Sequence, residues 1–164
     1  MPRRGSQFEY TLTRAINDCF AREHVRGVAY RRYAPPKVEQ LYDILIDCGS
    51  LNQYAAIECK SAYASTGIVY YFSKASTSNG RHQFSRELDW AEKAGRSALL
   101  ALEVKDSEKR KRRAFIIPMS FAAKRLEEGA VGLTLADCAA WHELLPKADG
   151  YYMPLGTLLW ILGA

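Results

Sequence analysis

Cysteine is scarce and scattered: the 164-residue chain has four, Cys19, Cys48, Cys59 and Cys138, and no C-x-x-C pair. That spacing argues against a zinc site or a disulfide scaffold and leaves reduced core thiols as the expectation. Long apolar runs are lacking as well. The C-terminal run Leu155 to Leu162 is well short of the ~20 apolar residues that a membrane span needs, and residues 1 to 20 are too polar for a secretory signal. The expectation is therefore a soluble, cytoplasmic protein, in the host cytoplasm if its source is viral, with no membrane partner. Internal repeats and linkers are missing too, so the whole length, 1–164, reads as a single domain.

What is present is ordinary for a globular chain, with 48% hydrophobic and 25% charged residues, so disorder is not the default. Twenty-three basic against eighteen acidic residues give a net charge of +5. That balance leans towards an anionic partner such as nucleic acid.

Periodicity predicts an opening helix to about His24, with Phe8, Leu12, Ile16, Cys19 and Phe20 on one side, a capping-box pattern at Ser6 and Glu9, and Gly27 as its end. Val28 to Tyr33 reads as extended and is stopped by Pro35-Pro36. Leu41 to Cys48 and Tyr54 to Ser61 read as a hairpin, and Ile68 to Phe72 as a third strand. Ser73 to Arg81 reads as a mobile loop, followed by a helix from His82 to Lys93 that faces inward through Phe84, Leu88 and Ala91. Strands are expected at Ser97 to Val104 and Arg113 to Ile117, with a charged loop from Lys105 to Arg112 between them. Further helices are expected from Ser120 to Glu128 and from Leu135 to Leu145. This order is that of an α/β domain with a mixed central sheet.

One strand is oddly charged. In Tyr54 to Ser61, Glu58 and Lys60 project from the same face while Ile57 and Cys59 take the other, and neither charge belongs in an apolar interior unless it is paired or holds a metal. Taken alone, E-x-K is most often a cross-strand ion pair. Asp43, leading the preceding strand, can face Glu58 across the hairpin. Two carboxylates at one point repel unless a cation lies between them, and oxygen donors of this kind suit Mg2+, with Mn2+ able to substitute. Lys60 beside that cation would orient an attacking water and stabilise charge on a phosphate. Asp47 is a rival for Asp43, less favoured because it adjoins the turn.

Glu9 reads two ways, as the acid of the helix cap and as a carboxylate on the face that packs against the sheet. Gln83, beside His82, falls in the first turn of the second helix, where unpaired N–H groups welcome anions. The basic residues group as Arg3 and Arg4, Arg31 and Arg32, and the run Lys109, Arg110, Lys111, Arg112 and Arg113. Such groups, with Arg81 and its loop, suit contacts to backbone phosphates.

Taken in order, Asp43 and Glu58-x-Lys60 resemble the PD-(D/E)xK nuclease superfamily, with Tyr42 where Pro often stands. The blocks "RRGSQFEYTLTRAIN" (Arg3 to Asn17), "YAAIECKS" (Tyr54 to Ser61), "HQFSRELDWAEKAGRSALLAL" (His82 to Leu102) and "FIIP" (Phe115 to Pro118) look like the corresponding blocks of RecU-type Holliday junction resolvases. The resemblance implies a restriction-endonuclease-like mixed central sheet flanked by helices, a homodimer, and Mg2+-dependent cleavage of four-way junctions. It also implies that Asp43 and Glu58 are metal ligands, Lys60 the catalytic lysine, Glu9 a supporting acid, and Gln83 a polar residue near the metal or phosphate. The long stalk that such resolvases often carry before the catalytic Asp has only Ala34 to Gln40 in its place. A duplex, flap or single-strand nuclease therefore stands as one alternative, and a non-enzymatic basic DNA-binding module as another.

Overall fold

The apolar runs of the central strands build a sheet that is covered on both faces, which is why their hydrophobic residues follow one another without polar interruption. The computed structural model describes residues 4–35, 38–63, 67–106 and 111–163, with side chains from Gln7 onward. The strands, in chain order, are β1 (Val28–Arg31), β2 (Ile44–Cys48), β3 (Gln53–Tyr63), β4 (Ile68–Tyr71), β5 (Thr77–Ser78), β6 (Arg81–His82), β7 (Ser97–Asp106), β8 (Lys111–Pro118), β9 (Gly132–Thr134), β10 (His142–Lys147) and β11 (Gly150–Tyr152). Seven form the central sheet in the order β1-β2-β3-β7-β8-β10-β11. Every neighbouring pair in it is antiparallel except β3 and β7, which run parallel. A parallel pair needs a long crossover. Here that crossover carries β4, the β5–β6 hairpin and the helix that delivers Gln83.

The helices are α1 (Arg4–Arg22), α2 (Gln83–Lys93), α3 (Met119–Glu127), α4 (Leu135–Ala139) and α5 (Leu155–Leu162). Alternation along each strand divides the core in two. On one face Ile44, Ile46, Ala55, Ile57, Leu99 and Ala101 pack under α1 and α5 through Leu12, Ile16 and Ile161. On the other, Leu45, Ala56, Leu100 and Leu102 pack under α2 and α3 through Phe84, Ala91, Met119 and Ala122. At roughly 1.5–3 kcal/mol for each large side chain removed from water, these two layers supply the dominant stabilisation and hold the sheet rigid beneath the site. Among the described residues, no helix is long and apolar enough to cross a membrane, and all four cysteines are free thiols.

Several expectations change. Helix α1 already includes Arg4, so Ser6 lies within it instead of capping it. The helix ends at Arg22, and the chain leaves it through His24 at φ 54°. Gly27 is required for another reason: a Cβ there would stand 2.4 Å from the Phe20 ring. Ser73 to Arg81 is ordered, with a 3-10 turn at Phe72–Lys74 and the β5–β6 hairpin turning on Asn79 and Gly80, both at positive φ. Asn-Gly is the favoured pair for such a turn, so the signal stood in the sequence.

Lys105, Lys111 and Arg112 belong to the β7–β8 ladder, leaving only residues 107–110 of the expected loop outside the described residues. The helix expected from Leu135 to Leu145 stops at Ala139. From His142 the chain is instead strand β10, pairing with β8.

Candidate active site

Strand β3 outlasts its neighbour. The β2 ladder ends at Ile57, whereas β7 accompanies β3 as far as Tyr63, so beyond Ile57 one edge of β3 has no strand partner among the described residues. Asp43 takes up the first position on that edge. Its N–H donates to the Ile57 carbonyl at 3.0 Å, and its Oδ2 accepts the Cys59 N–H at 2.8 Å, extending the ladder by a side chain. Tyr42 sets this up. It adopts φ 67°, which is why β2 begins at Ile44 and not at Leu41. Its buried ring packs against Trp90, centroids 5.5 Å apart, and its hydroxyl donates to the Glu87 carbonyl at 2.5 Å.

Glu58 and Lys60 face α2, on the side of the sheet opposite Ile57. Glu58 is only 4% exposed. Its Oε1 accepts from Lys60 Nζ at 2.6 Å and from Gln83 Nε2 at 2.7 Å. The same amide nitrogen donates to Glu87 Oε1 at 2.7 Å, while Gln83 Oε1 accepts from Lys60 Nζ and the Ser76 N–H, both at 3.4 Å. Gln83 is therefore saturated and not a solvated surface amide. His82 caps α2, its Nδ1 accepting the Phe84 N–H at 3.2 Å. Nε2 is then the protonated ring nitrogen and donates to the Phe72 carbonyl at 2.9 Å.

The Lys60 ammonium is thus bonded to Glu58 with Glu87 close behind, and Asp43 stands at the strand edge within reach of the Glu58 charge. Burial first, and Glu58 second, push the Asp43 carboxyl up to about 7, against the pull of the Cys59 N–H and Lys60. The same two causes push Glu87 up to about 9. Burial disfavours the charge on Lys60, but the Glu58 carboxylate outweighs it and the lysine is held above its ordinary value.

Among the described residues, no group of three or more His, Cys, Asp or Glu side chains is gathered to hold an ion by itself. The donors present are oxygens, and a bound cation would favour the ionised Asp43 carboxylate that burial and Glu58 now disfavour. That chemistry fits a hard divalent cation held by two carboxylates and several waters.

The raised Asp43 value has a consequence for stability. Between its ordinary value of 3.8 and about 7 the unfolded chain releases a proton that the folded, metal-free protein keeps. Stability is accordingly fully present below that window and is lost as the pH rises through it. Asp43→Asn preserves an acceptor for Cys59 but removes the titration. Its melting temperature, measured in EDTA, is expected to exceed the parent's at about pH 8 and to match it at about pH 4; the same difference at both would discard this account.

The other acids lie apart. Glu9, on α1, accepts from Arg31 at 2.8 and 3.2 Å, and its charge is felt by Asp43 and Cys59. Asp47 faces Tyr54 at the far end of the hairpin, still within β2, and holds Arg96 at 2.7 Å. The residue missed by sequence reasoning is Glu87, 0% exposed, although it stands three residues after Phe84 and four before Ala91, on the face assigned to packing.

Several of the arginines expected to meet phosphate have protein partners. Arg31 holds Glu9, Arg81 holds Asp89 at 2.5 Å, and Arg113 grips Glu143 through two bonds of 2.7 and 2.8 Å. Arg32 donates to the Leu41 carbonyl at 2.8 Å and lies over the Trp90 ring. Lys111 and Arg112 are exposed. Arg3, the Arg4 side chain, Lys109 and Arg110 lie outside the described residues.

No protein-family model matches the chain, and no curated protein is similar to it at a significant level. Among solved structures it is similar to that of Archaeoglobus fulgidus Hjc, a Holliday junction resolvase from an archaeal hyperthermophile. The match has 18% identity and a TM-score of 0.46, and covers 85% of this chain and 98% of that one.

Proposed function

We propose that this chain is a divalent-metal-dependent endonuclease that cuts branched DNA, four-way junctions foremost, working as a homodimer. The observation that carries the reading is the buried network of Glu58, Lys60, Gln83 and Glu87 beside Asp43, at the one place where β3 has an open edge. An ion pair serving stability alone would satisfy itself. This one sets a further acid, Asp43, beside the Glu58–Lys60 pair, on a chain of net charge +5.

Asp43 and Glu58 would hold the ion, Mg2+ or Mn2+, which when bound supplies Lewis-acid polarisation of the phosphate and a water of lowered pKa. The chain's own groups do the rest. Lys60, fixed by Glu58 and Gln83, presents an ammonium with little freedom left to lose, so it can meet a phosphate oxygen or orient the attacking water without reorganising. Gln83 keeps the Glu58 carboxylate turned towards that lysine. Glu87, through the same amide, positions Gln83. Two symmetric nicks across a junction call for two copies of the site, which a two-fold homodimer provides.

The deciding experiment compares cleavage of a four-way junction with that of a linear duplex built from the same arms, in Mg2+ and in EDTA. Junction cleavage at least about tenfold faster than duplex cleavage, and lost in EDTA, is the expected result. Equal rates on the two substrates would replace the junction with a broader duplex substrate. Metal-independent binding without cleavage would remove the nuclease reading altogether.

A further inference from the structure

On the sheet face opposite Glu58 lies a groove of about 970 Å3, between α1, the ends of β3 and β7, and the β10–β11 turn. Its charges do not cancel. Glu103, at the floor, is 3% exposed and is neutralised by Lys105 at 3.2 Å and held by the Tyr151 hydroxyl at 2.9 Å. Arg14 on the α1 wall is taken by Asp149 at 2.5 Å. Lys147 then lies 5.6 Å from the centre of the Tyr152 ring, and Arg112 lines the groove near enough for its charge to be felt at Tyr151, neither having a carboxylate partner among the described residues. The lining therefore carries a net positive charge with every acid in it already engaged. It also carries two exposed rings, Tyr10 at 51% and Tyr63 at 54%. Cations interleaved with free aromatic faces are what an unpaired nucleotide chain requires, with phosphates on the one and bases on the other. Stacked duplex bases cannot offer those faces.

The groove also begins close, along β3, to the candidate active site. Tyr63 is three residues beyond Lys60 on β3, about 10 Å along the strand and on its other face, a span of a few unpaired nucleotides. We propose that this groove receives the unpaired strand of a branched substrate, stacking its bases on Tyr10 and Tyr63 and pairing its phosphates with Arg112 and Lys147. The strand's destination rests on the nuclease reading, while the binding itself does not. A selectivity device of this kind would stand in for the stalk that the short connector before Asp43 cannot form.

The test is binding of a fluorescent short oligothymidylate by the full chain in EDTA, followed by anisotropy, with a linear duplex and free thymidine monophosphate as the other arms. Tyr63→Ala and Arg112→Gln, both at exposed positions and checked for a parental melting temperature, are each expected to weaken oligothymidylate binding about tenfold. Duplex binding by Tyr63→Ala is expected to stay within about twofold of the parent. Folded variants that bind oligothymidylate as the parent does would overturn the proposal. So would equal losses on duplex, or displacement by the monophosphate at concentrations like those of the oligomer, which would make the groove a free-nucleotide pocket. If the binding pattern holds but the parent cuts no DNA in Mg2+, the nuclease reading falls and the groove stands. If the parent cuts junctions while the variants bind normally, the groove falls alone.

Discussion

Glu58→Ala is expected to slow Mg2+-dependent cleavage of a four-way junction by about a thousandfold or more, while leaving DNA binding in EDTA close to the parent's. The size follows from how much converges on one atom. Glu58 Oε1 takes both the Lys60 ammonium and the Gln83 amide, so its loss removes a candidate metal ligand, the carboxylate partner of Lys60 and one of the bonds that hold Gln83. Losses of residues acting as a unit do not add. Lys60→Ala and the double variant should therefore fall close to the single one. Cleavage by Glu58→Ala at the parental rate would refute the site, and a parental melting temperature is the control that separates chemistry from folding. The same variant should let the Asp43 carboxyl drop towards its ordinary range, because Glu58 is the second cause of its elevation.

Tyr42→Pro is expected to destabilise the protein by at least ~3 kcal/mol and to abolish cleavage with it. The substitution would complete the P-D pattern that the sequence resembles, so resemblance alone predicts no harm. Geometry predicts otherwise. Tyr42 adopts φ 67°, whereas the proline ring fixes φ near −65°, and the change also forfeits a fully buried aromatic, its packing on Trp90 and its bond to the Glu87 carbonyl. Moving Tyr42 moves Asp43, whose carboxylate depends on that turn to reach Cys59. Thermal unfolding monitored by circular dichroism reads the effect, and a variant melting within a few degrees of the parent would show that the turn tolerates an ordinary φ.

Much of this arrangement was legible because it is local. The apolar spacing of Phe8, Leu12 and Ile16 marked α1, and parity along Ile57 to Lys60 assigned both charges to one face, as the two separate cores require. What was not legible depended on partners distant in sequence. Leu135 to Leu145 has a helical spacing that holds only to Ala139. Pairing of His142, Glu143 and Leu144 with β8, reinforced by Arg113 on Glu143, makes the rest a strand.

The capping-box reading of Glu9 failed for a similar reason, because α1 begins earlier and Arg31 claims the carboxylate. Glu87 was passed over because an acid in a helix is normally taken as solvated, and only the return of α2 onto β3 buries it beside Gln83. Within the basic run, composition alone did not show that Arg113 is bonded to Glu143, thirty residues away, while Lys111 and Arg112 stay exposed.

The open edge of β3 carries a hazard as well as an opportunity. A bare strand edge is a template on which another chain can add, and proteins guard such edges with charge and with side chains that occupy the ladder positions. Asp43 occupies one such position by taking the Cys59 N–H. The Asp43 carboxylate, proposed to hold the ion, is thus also the group that closes a ladder position another chain would need, so Asp43→Ala is a change at the strand edge as well as at the site.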